Sequence, residues 1–421
     1  MAGMNNPKTR LYPRHLSARL RAALADTPVV MVNGARQAGK STLALQMIAE
    51  GYPATYLTLD DAVVLGAARA DPSGFVESFQ GPVVLDEVQH APELFPAIKA
   101  AVDRRRQPGR FLLTGSADVL LLPRISESLA GRTEILTIWP LSQSELAGRK
   151  DAFVDTVFSP ELPPVSASGQ LRSDVLRRAL LGGYPEVIAR ADADRRRAWF
   201  GSYLSTILQR DIRQVADIAA MTEMPRLLSL LAARSMSILN MAEVSRAADV
   251  PHRSLVRYVA LLETIFFVQR LPAWSRNIGR RLVRHPRVML NDTGLLAHLI
   301  GAEADRFASD PTLAGPLLET FAAAEVVKAI GWSATRPRPH HFRTGSGDEV
   351  DLVLERGDGT IVGIEVKASS TVDERDFRGL RALAAATGRS FKRGIVLYTG
   401  RQSVPFGPSL HAVPMSALWS L

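Results

Sequence analysis

The sequence predicts an α/β protein whose first part is a three-layer sandwich: a mostly parallel sheet with helices on both faces. Two observations predict this sheet. Short apolar runs alternate with helical patterns over residues 29–138, as in parallel sheets covered by helices. A complete phosphate-loop motif, G-x-x-x-x-G-K-S, spans residues 34–41 directly after the first apolar run. The later pattern, helical and then mixed, predicts a helical unit followed by a second α/β unit.

Composition sets the class of protein. Hydrophobic residues make up 46% of the 421 residues and charged residues 22%, as in ordinary globular proteins. No apolar run is long enough to span a membrane, and residues 1–15 lack an apolar signal core, so we expect a cytoplasmic protein without a membrane partner. The absence of cysteine excludes disulfides and thiolate sites. The net charge of +9 favours an acidic partner such as nucleic acid.

Breaks in composition predict three domains, residues 1–165, 166–304 and 305–421. The first break is a Pro-, Ser- and Gly-rich stretch at 159–170, which indicates a connector. The strands predicted in the first domain are 29–32, 54–59, 82–85, 111–114 and 135–138. The elements predicted in the third domain are strands at 342–354, 360–366 and 394–398 and helices at 317–330 and 374–387.

The motif at 34–41 lies between a strand and a helical pattern, the order that a phosphate loop requires. Its glycines let backbone N–H groups surround phosphate oxygens at the positive end of the helix. Lys40 is expected to reach the terminal phosphates, and the Ser41 hydroxyl to bind Mg²⁺. The predicted nucleotide-binding residues are Gly34, Ala35, Arg36, Gln37, Ala38, Gly39, Lys40, Ser41 and Thr42.

The strand at 82–85 ends in two carboxylates, Asp86 and Glu87. Beside a phosphate loop, Asp86 can hold Mg²⁺ through water and Glu87 can polarise the attacking water. Glu87 therefore favours hydrolysis over phosphoryl transfer to a small acceptor, and the acceptor kinase stays the alternative.

Three further polar residues are candidates for the same chemistry. Thr114 and Ser116 follow the strand at 111–114, where a hydroxyl can orient the attacking water; a plain β-turn is the alternative. Arg132 is a candidate partner of the γ-phosphate, in the same chain or across a subunit interface. A solvated or structural arginine is the alternative there.

Seven segments carry a resemblance to a known family. They are GARQAGKST at 34–42, VVLDEVQ at 83–89, LLTGSAD at 112–118, LAGRTEILTIWPLSQSE at 129–145, GGYPEV at 182–187, LNDTGLLAHLIG at 290–301, and FRTGSGDEVDLVLE with IEVKAS at 342–369. Residues 28–146 resemble an AAA+ superfamily ATPase. The whole chain resembles bacterial and archaeal ATPases that couple such a domain to a C-terminal domain of unknown function. The resemblance implies the strand order 5-1-4-3-2, ATP as the nucleotide, and assembly into a ring or dimer.

The middle of the chain predicts a helix-turn-helix, with helices at 241–248 and 253–265 and a wing at 266–274. In the resembling family this region looks like a winged helix. The alternatives are a DNA-binding element and a lid that packs on the ATPase. The candidate DNA contacts, on the second helix and in the arginine-rich segment after it, are Arg253, Arg257, Arg276, Arg280, Arg281 and Arg284.

The last domain contains a D-x(13)-E-x-K arrangement formed by Asp351, Glu365 and Lys367. Two carboxylates on adjacent strands can bind Mg²⁺ while the lysine stabilises charge, and Glu319 can complete the acidic set. The segment is similar to PD-(D/E)xK nucleases, and an active nuclease, a nuclease-like binding fold and an unrelated α/β domain all stay open. His340 and His341 are interpreted as a surface pair.

The first hypothesis is an ATP-hydrolysing protein that uses ATP and Mg²⁺ and acts on DNA through its C-terminal half. The second is a slow nucleotide-gated switch that binds a protein partner. The third is an ATP-regulated, metal-dependent nuclease. Each is compatible with association of the chain with further copies of itself.

Overall fold

The computed structural model describes residues 11–116, 129–167, 171–210, 218–277, 279, 281, 284–301 and 303–421. They fall into two compact units. The first unit comprises residues 14–140 with 264–266, and the second unit comprises the described residues of 11–13, 141–263 and 267–421. The three-domain division stays a prediction.

The first unit alternates strands and helices. Its elements are α1 Leu16–Asp26, β1 Val29–Asn33, α2 Lys40–Ala49, β2 Thr55–Thr58, α3 Ala62–Ala70, α4 Pro72–Glu77, β3 Val83–Asp86, α5 Leu94–Arg104, β4 Phe111–Gly115 and β5 Thr133–Thr137. The five predicted strands are confirmed to within two residues at each end. β1, β3 and β4 are each followed by a polar or glycine-containing segment, as expected where strands end beside a binding site.

The five strands form one parallel sheet in the order β2-β3-β4-β1-β5. Read from the other edge, this is the implied order 5-1-4-3-2, which is confirmed. All residues of the interior strand β1 are buried. Because neighbouring side chains of a strand point to opposite faces, both faces of the sheet are covered. The carboxyl ends of β1, β3 and β4 therefore lie together at one edge.

The second unit begins with helices, and most of its strands lie in its C-terminal part. Its helices are α6 Gln143–Ala147, α7 Phe153–Val157, α8 Arg172–Leu181, α9 Pro185–Ile188, α10 Ala193–Arg210, α11 Ile218–Ala233, α12 Met241–Ala248, α13 His252–Thr264, α14 Thr293–Ile300, α15 Ala304–Ser309, α16 Pro311–Ile330, α17 Arg378–Thr387 and α18 Ala417–Ser420; Thr264, the last residue of α13, groups with the first unit. Its strands are β6 Val268–Leu271, β7 Arg287–Leu290, β8 Arg338–Arg343, β9 Glu349–Glu355, β10 Ile361–Lys367, β11 Phe391–Tyr398, β12 Val404–Pro405 and β13 Leu410–Pro414.

Six of these strands form a mixed sheet in the order β12-β13-β11-β10-β9-β8. β8, β9 and β10 are antiparallel, whereas β10, β11 and β13 are parallel. The single strand predicted at 342–354 is wrong, because a turn at 344–348 divides it into β8 and β9. The edge strand β12 and its neighbour β13 were not predicted.

The stretch at 159–170 is attached to the second unit over part of its length, which differs from a free connector. Ser166 forms an isolated bridge with Gln402, and the Ala167 N–H donates to the Arg401 carbonyl at 2.8 Å. Residues 168–170 lie outside the described residues. The backbone of this apparent linker thus forms hydrogen bonds with the segment at 401–402, as buried N–H and carbonyl groups require.

Both helices predicted for the helix-turn-helix are present as α12 and α13. Asp249 ends α12 in the left-handed conformation, with φ 55°, and this turns the chain into α13. The strand that follows, β6, pairs antiparallel with β7. The winged-helix interpretation of these elements stays a prediction.

The second unit starts in a buried polar network. The Leu141 N–H donates to the Gly183 carbonyl at 2.7 Å, and the Gly183 N–H donates to the Asp292 carboxylate at 2.7 Å. Lys328 donates to the Leu141 carbonyl at 3.1 Å and to Glu325 at 2.7 Å. Glu325 also accepts from the Gln143 N–H at 2.6 Å. Three motif segments, at 141–145, 182–187 and 290–294, are held together by these bonds.

Within the part of the chain that the structure describes, no helix has both the length and the apolar character needed to cross a membrane.

Candidate functional site

The phosphate loop connects β1 to α2 and depends on two glycines. A Cβ atom on Gly34, which has φ 151°, would lie 2.1 Å from the Ile138 carbonyl oxygen. Gly39 precedes α2 with φ 100°, a conformation that L side chains rarely adopt. Lys40 is buried, and its ammonium donates to the Gly34 and Ala35 carbonyls at 3.1 and 3.0 Å. The lysine thus lies within the loop that its sequence motif predicts.

Asp86, at the end of β3, accepts hydrogen bonds from three hydroxyl groups. The Ser41 hydroxyl donates to its two carboxylate oxygens at 3.0 and 2.9 Å, and the Tyr56 hydroxyl donates at 2.7 Å. The Thr114 hydroxyl donates to the same carboxylate. Burial, followed by the neighbouring Asp86, raises the pKa of Tyr56 well above its usual value, so Tyr56 remains a donor.

Oxygen ligands for Mg²⁺ are therefore present where the sequence predicts them. Ser41 and Asp86 offer a hydroxyl and a carboxylate within 3.0 Å of each other, and Mg²⁺ prefers oxygen ligands of this kind. These residues fit a magnesium ion that also binds nucleotide phosphates. Tyr56 is an additional partner of Asp86 that was not predicted. Only its position on β2, the strand beside β3, could have indicated this contact.

Glu87 is held in an unusual conformation. Its φ of 58° and ψ of 45° lie in the left-handed region, which is uncommon for residues other than glycine and is found at functional sites. Its N–H donates to the Thr114 hydroxyl at 3.2 Å, and its carboxylate accepts from the Gln89 amide. The same amide donates to Ser116 at 2.9 Å. Thr114 and Ser116 therefore position Asp86, Glu87 and Gln89. Gln89 is not among the site residues predicted from the sequence.

Arg14 reaches the phosphate loop from the segment before α1. Its guanidinium donates to the Ala38 carbonyl and to the Trp139 carbonyl, both at 2.7 Å. It thereby joins the loop to the segment that follows β5. Sequence reasoning missed this residue because Arg14 and Ala38 are 24 positions apart, and no local pattern indicates a contact over that separation.

Replacement of Arg14 by alanine is expected to lower the free energy of opening of the first unit by about 1.5–3 kcal/mol, because charge-assisted hydrogen bonds to two carbonyls are lost. Hydrogen exchange of β1 amides measures this change. Arg21→Ala is the control, since Arg21 pairs with Glu50 at the surface and should contribute less than about 1 kcal/mol. Equal effects of the two substitutions on the free energy of opening would show that the two Arg14 hydrogen bonds do not stabilise the first unit more than a surface ion pair does.

Arg132 lies at the end of the sheet opposite to the phosphate loop. It directly precedes β5, whose first residue Thr133 is in register with Val29, the first residue of β1. The loop follows Asn33, the last residue of β1. Arg132 forms a two-bond pair with Asp103, at 2.6 and 2.9 Å, and this contact lowers the pKa of Asp103. This placement does not support contact with a γ-phosphate bound in the same chain.

The arginine-rich segment after β6 is largely engaged within the second unit. Arg281 pairs with Glu355, at 3.0 Å for one of two bonds, and lies over the Trp274 ring. Arg276 donates to the Thr387 carbonyl at 3.3 Å, and Arg284 donates to the Arg343 carbonyl at 3.3 Å. Arg280 lies outside the described residues. Fewer of these side chains are available to phosphates than their spacing in the sequence indicates.

The second helix of the predicted helix-turn-helix does present an exposed basic face. Arg253 and Arg257 are exposed on α13, with Val256 between them 48% exposed. The opposite face of α13 is buried through Leu255, Val259 and Leu262, among others. The helix is therefore amphipathic, and its outer face carries two of the six arginines predicted to contact DNA.

The predicted nuclease residues come together, but an arginine lies among them. The Asp351 carboxylate accepts from Arg287 at 2.8 Å and from the Val366 N–H at 2.9 Å, so each of its oxygens has a partner. Lys367 donates to Glu365 at 2.9 Å. Burial, followed by the charge of Asp351, raises the pKa of both Glu319 and Glu365. A metal ion at Asp351 would have to displace the buried Arg287.

No group of three or more His, Asp or Glu side chains among the described residues is arranged to hold a metal ion. His340 and His341 are not a surface pair, because they are only 7% and 2% exposed. A bulge in β8 between His340 and Phe342 changes the register there. The expectation of solvent-exposed histidines is therefore wrong.

Three family models match successive parts of the chain. Residues 26–147 match an AAA domain. Residues 172–306 and 314–418 match two domains of unknown function, DUF8612 and DUF4143 respectively. The predicted AAA-type ATPase fold of the first part is confirmed by this match together with the parallel sheet.

Two relatives, from Mycobacterium tuberculosis and Mycobacterium bovis, are each 32% identical to this chain over 405 residues. The matched region covers 95% of this chain and 83% of each relative. Both are described as uncharacterised proteins.

Solved structures show weaker likeness. A Walker-type ATPase of Pyrococcus abyssi is 14% identical, with a TM-score of 0.45, over 70% of this chain and 98% of that one. The RuvB Holliday junction branch migration motor of Thermotoga maritima is 16% identical, with a TM-score of 0.29, over 61% of this chain and 87% of that one.

Proposed function

The chain belongs to the family of the two mycobacterial proteins and carries an AAA domain, and from this premise we propose that it binds and hydrolyses ATP with Mg²⁺ and couples this cycle to DNA. The observation that carries the proposal is the meeting of Lys40, Ser41, Asp86 and Glu87 at one edge of the sheet. Lys40 binds the terminal phosphates, and Ser41 and Asp86 hold the metal ion. Glu87 accepts a proton from the attacking water.

Mg²⁺, when bound, supplies positive charge that offsets the charge developing on the phosphate oxygens. The chain's own residues do the rest. The loop N–H groups and Lys40 orient the phosphates, and Thr114 fixes Asp86 and the backbone of Glu87. Gln89, which also donates to Ser116, holds the Glu87 carboxylate, and the remaining acceptor positions of that carboxylate can bind the attacking water.

Coupling to DNA is supported by the exposed arginines of α13. Arg253 and Arg257 are exposed on the helix that would be the recognition helix of a helix-turn-helix. Contacts of arginine with phosphates give salt-sensitive binding without sequence preference. Arg276 and Arg284, also exposed, are further candidates.

ATP hydrolysis by the full chain with and without single- and double-stranded DNA tests this proposal. We expect DNA to stimulate turnover, and Lys40→Ala to abolish the basal and the stimulated rates. Arg253→Glu with Arg257→Glu should remove the stimulation and keep the basal rate. Hydrolysis that ignores DNA would overturn the coupling and leave the ATPase, whereas hydrolysis that survives Lys40→Ala would overturn the site.

Arg132 enters this proposal only across a subunit interface. It lies at the far end of the sheet from the loop, so its γ-phosphate partner would belong to a neighbouring copy. Mixing Lys40→Ala and Arg132→Ala chains should then restore hydrolysis, because one copy supplies the loop and the other the arginine. Inactive mixtures of two inactive variants would count against this role.

The second candidate is a slow switch that binds a protein partner. It is favoured by the Gln89 contact, which occupies one oxygen of the Glu87 carboxylate, and by the pairing of Arg281 with Glu355 and of Arg287 with Asp351. A metal-dependent nuclease is the third candidate. It is supported by the proximity of Asp351, Glu365, Lys367 and Glu319. Arg287 counts against it, because this arginine occupies the Asp351 carboxylate that would bind the metal ion. Cleavage that is lost in Asp351→Ala would establish it.

A further inference from the structure

A small pocket of about 220 Å³ opens on the second unit beside the end of β8. Its polar lining consists of Arg284, His285, His341, Arg343 and Thr344. Pockets for drug-sized ligands begin near about 300 Å³, so this one suits a single small group better than a whole nucleotide. No carboxylate is among the described residues that line it.

The charge of the pocket is positive. Arg284 is exposed, and its contact with the Arg343 carbonyl, at 3.3 Å, occupies one of its five N–H donors. Arg343 pairs through Nε with Glu349 at 3.1 Å, and the same carboxylate is shared with Arg287. Arg287 also pairs with Asp351, so the two carboxylates balance Arg287 and Arg343, and the positive charge of the pocket is that of Arg284. The planar fork of arginine matches the oxygens of a phosphate group.

His341 adds a hydrogen-bond acceptor to the pocket, which favours a ligand that can donate a hydrogen. Only 2% of the residue is exposed, and its Nε2 lies 3.2 Å from the His285 carbonyl oxygen. A carbonyl can only accept, so Nε2 carries the proton and Nδ1 presents a lone pair. Nδ1 is buried and has no hydrogen-bond partner among the described residues. Burial, and then the charge of Arg287, lower the pKa of His341 to about 4, which keeps the ring neutral at pH 7.

An anion bound here must satisfy both features: negative oxygens for the arginines and one hydrogen for Nδ1. We propose that the pocket binds a phosphate group that retains one proton, with Arg284 and Arg343 on its oxygens and its P–OH donating to Nδ1 of His341. Inorganic phosphate retains at least one proton at pH 7, whereas the terminal phosphate of a nucleic-acid strand, whose second pKa is about 6, has this chemistry only in its monoanionic form. Sulfate and an internal phosphodiester lack the proton. The site does not depend on ATP hydrolysis.

Calorimetric titration of the full chain with inorganic phosphate at pH 7 tests the proposal. The titration is made in a Lys40→Ala background, so that the phosphate loop contributes less heat. We expect phosphate to bind, sulfate to bind more weakly, and Arg284→Gln to weaken phosphate binding by about tenfold or more. Arg389→Gln is the control, because Arg389 is an exposed arginine of the same unit outside the pocket. It should leave the affinity unchanged.

Equal phosphate affinity in the Arg284→Gln and Arg389→Gln proteins would overturn the site. Sulfate binding as tight as phosphate would overturn the contact with Nδ1, and with it the proposal. Oligonucleotides with and without a 5′-phosphate then distinguish the sources. Competition with phosphate by the phosphorylated strand alone identifies a nucleic-acid end, and competition by neither strand identifies free phosphate; each supports a phosphate site.

Discussion

Glu87→Gln is expected to lower the rate of ATP hydrolysis by about 10²–10⁴-fold, the usual contribution of a positioned general base. Glutamine keeps the size of the side chain and can still contact Gln89, but it cannot accept a proton from water. Lys40, Ser41 and Asp86 are unchanged, so ATP and Mg²⁺ should bind as tightly as in the natural chain. Single-turnover hydrolysis and nucleotide binding, measured on the same protein, separate the two steps.

Glu77→Gln is the matched control, because Glu77 is an exposed glutamate of the first unit that pairs with Arg104. It should leave both hydrolysis and binding unaltered. A Glu87→Gln protein that hydrolyses ATP at the natural rate would remove Glu87 from the mechanism. A variant that loses nucleotide binding as well would indicate a structural role for the carboxylate.

Lys328→Met is expected to reduce the free energy of unfolding of the second unit by about 3–5 kcal/mol. The side chains of Lys328 and Glu325 are only 5% and 3% exposed, and they pair at 2.7 Å. Methionine fills similar space but leaves Glu325 as a buried charge, and the Leu141 carbonyl loses its donor. Hydrogen exchange of α16 amides, which report opening of this unit, measures the loss.

The double variant Lys328→Met with Glu325→Gln should recover part of that loss, because the amide can still contact the Gln143 segment and no charge remains unpaired. Lys150→Met is the surface control, since Lys150 is exposed in the same unit. If the double variant were less stable than Lys328→Met alone, the cost would come from packing and not from an isolated charge.

The sequence was most informative where local pattern and chemistry coincide. The strands of the first sheet are short apolar runs because parallel strands are buried on both faces, and β1 is buried throughout. The loop at 34–41 follows from a motif whose glycines, Gly34 and Gly39, are required by their backbone conformations. The roles of Lys40, Arg132 and the other predicted site residues stay predictions.

Contacts between distant residues could not be predicted in this way. Arg281 and Arg287 look like a basic patch in the sequence, yet they pair with Glu355 and Asp351, each more than 60 positions away. The contacts of Arg14 with Ala38 and Trp139 could not be predicted for the same reason. Periodicity describes one element at a time, whereas an ion pair depends on the fold that brings two elements together.

The buried network at Leu141 has a practical consequence for cutting the chain. A fragment that ends at residue 165 would retain α6 and α7 but lose their partners, including Gly183, Glu325 and Lys328. Phe153, Val154 and Val157, which are buried in the second unit, would face water and favour aggregation. A fragment that ends at Pro140 omits these three side chains, because the compact unit of the phosphate loop, apart from residues 264–266, extends only to that residue.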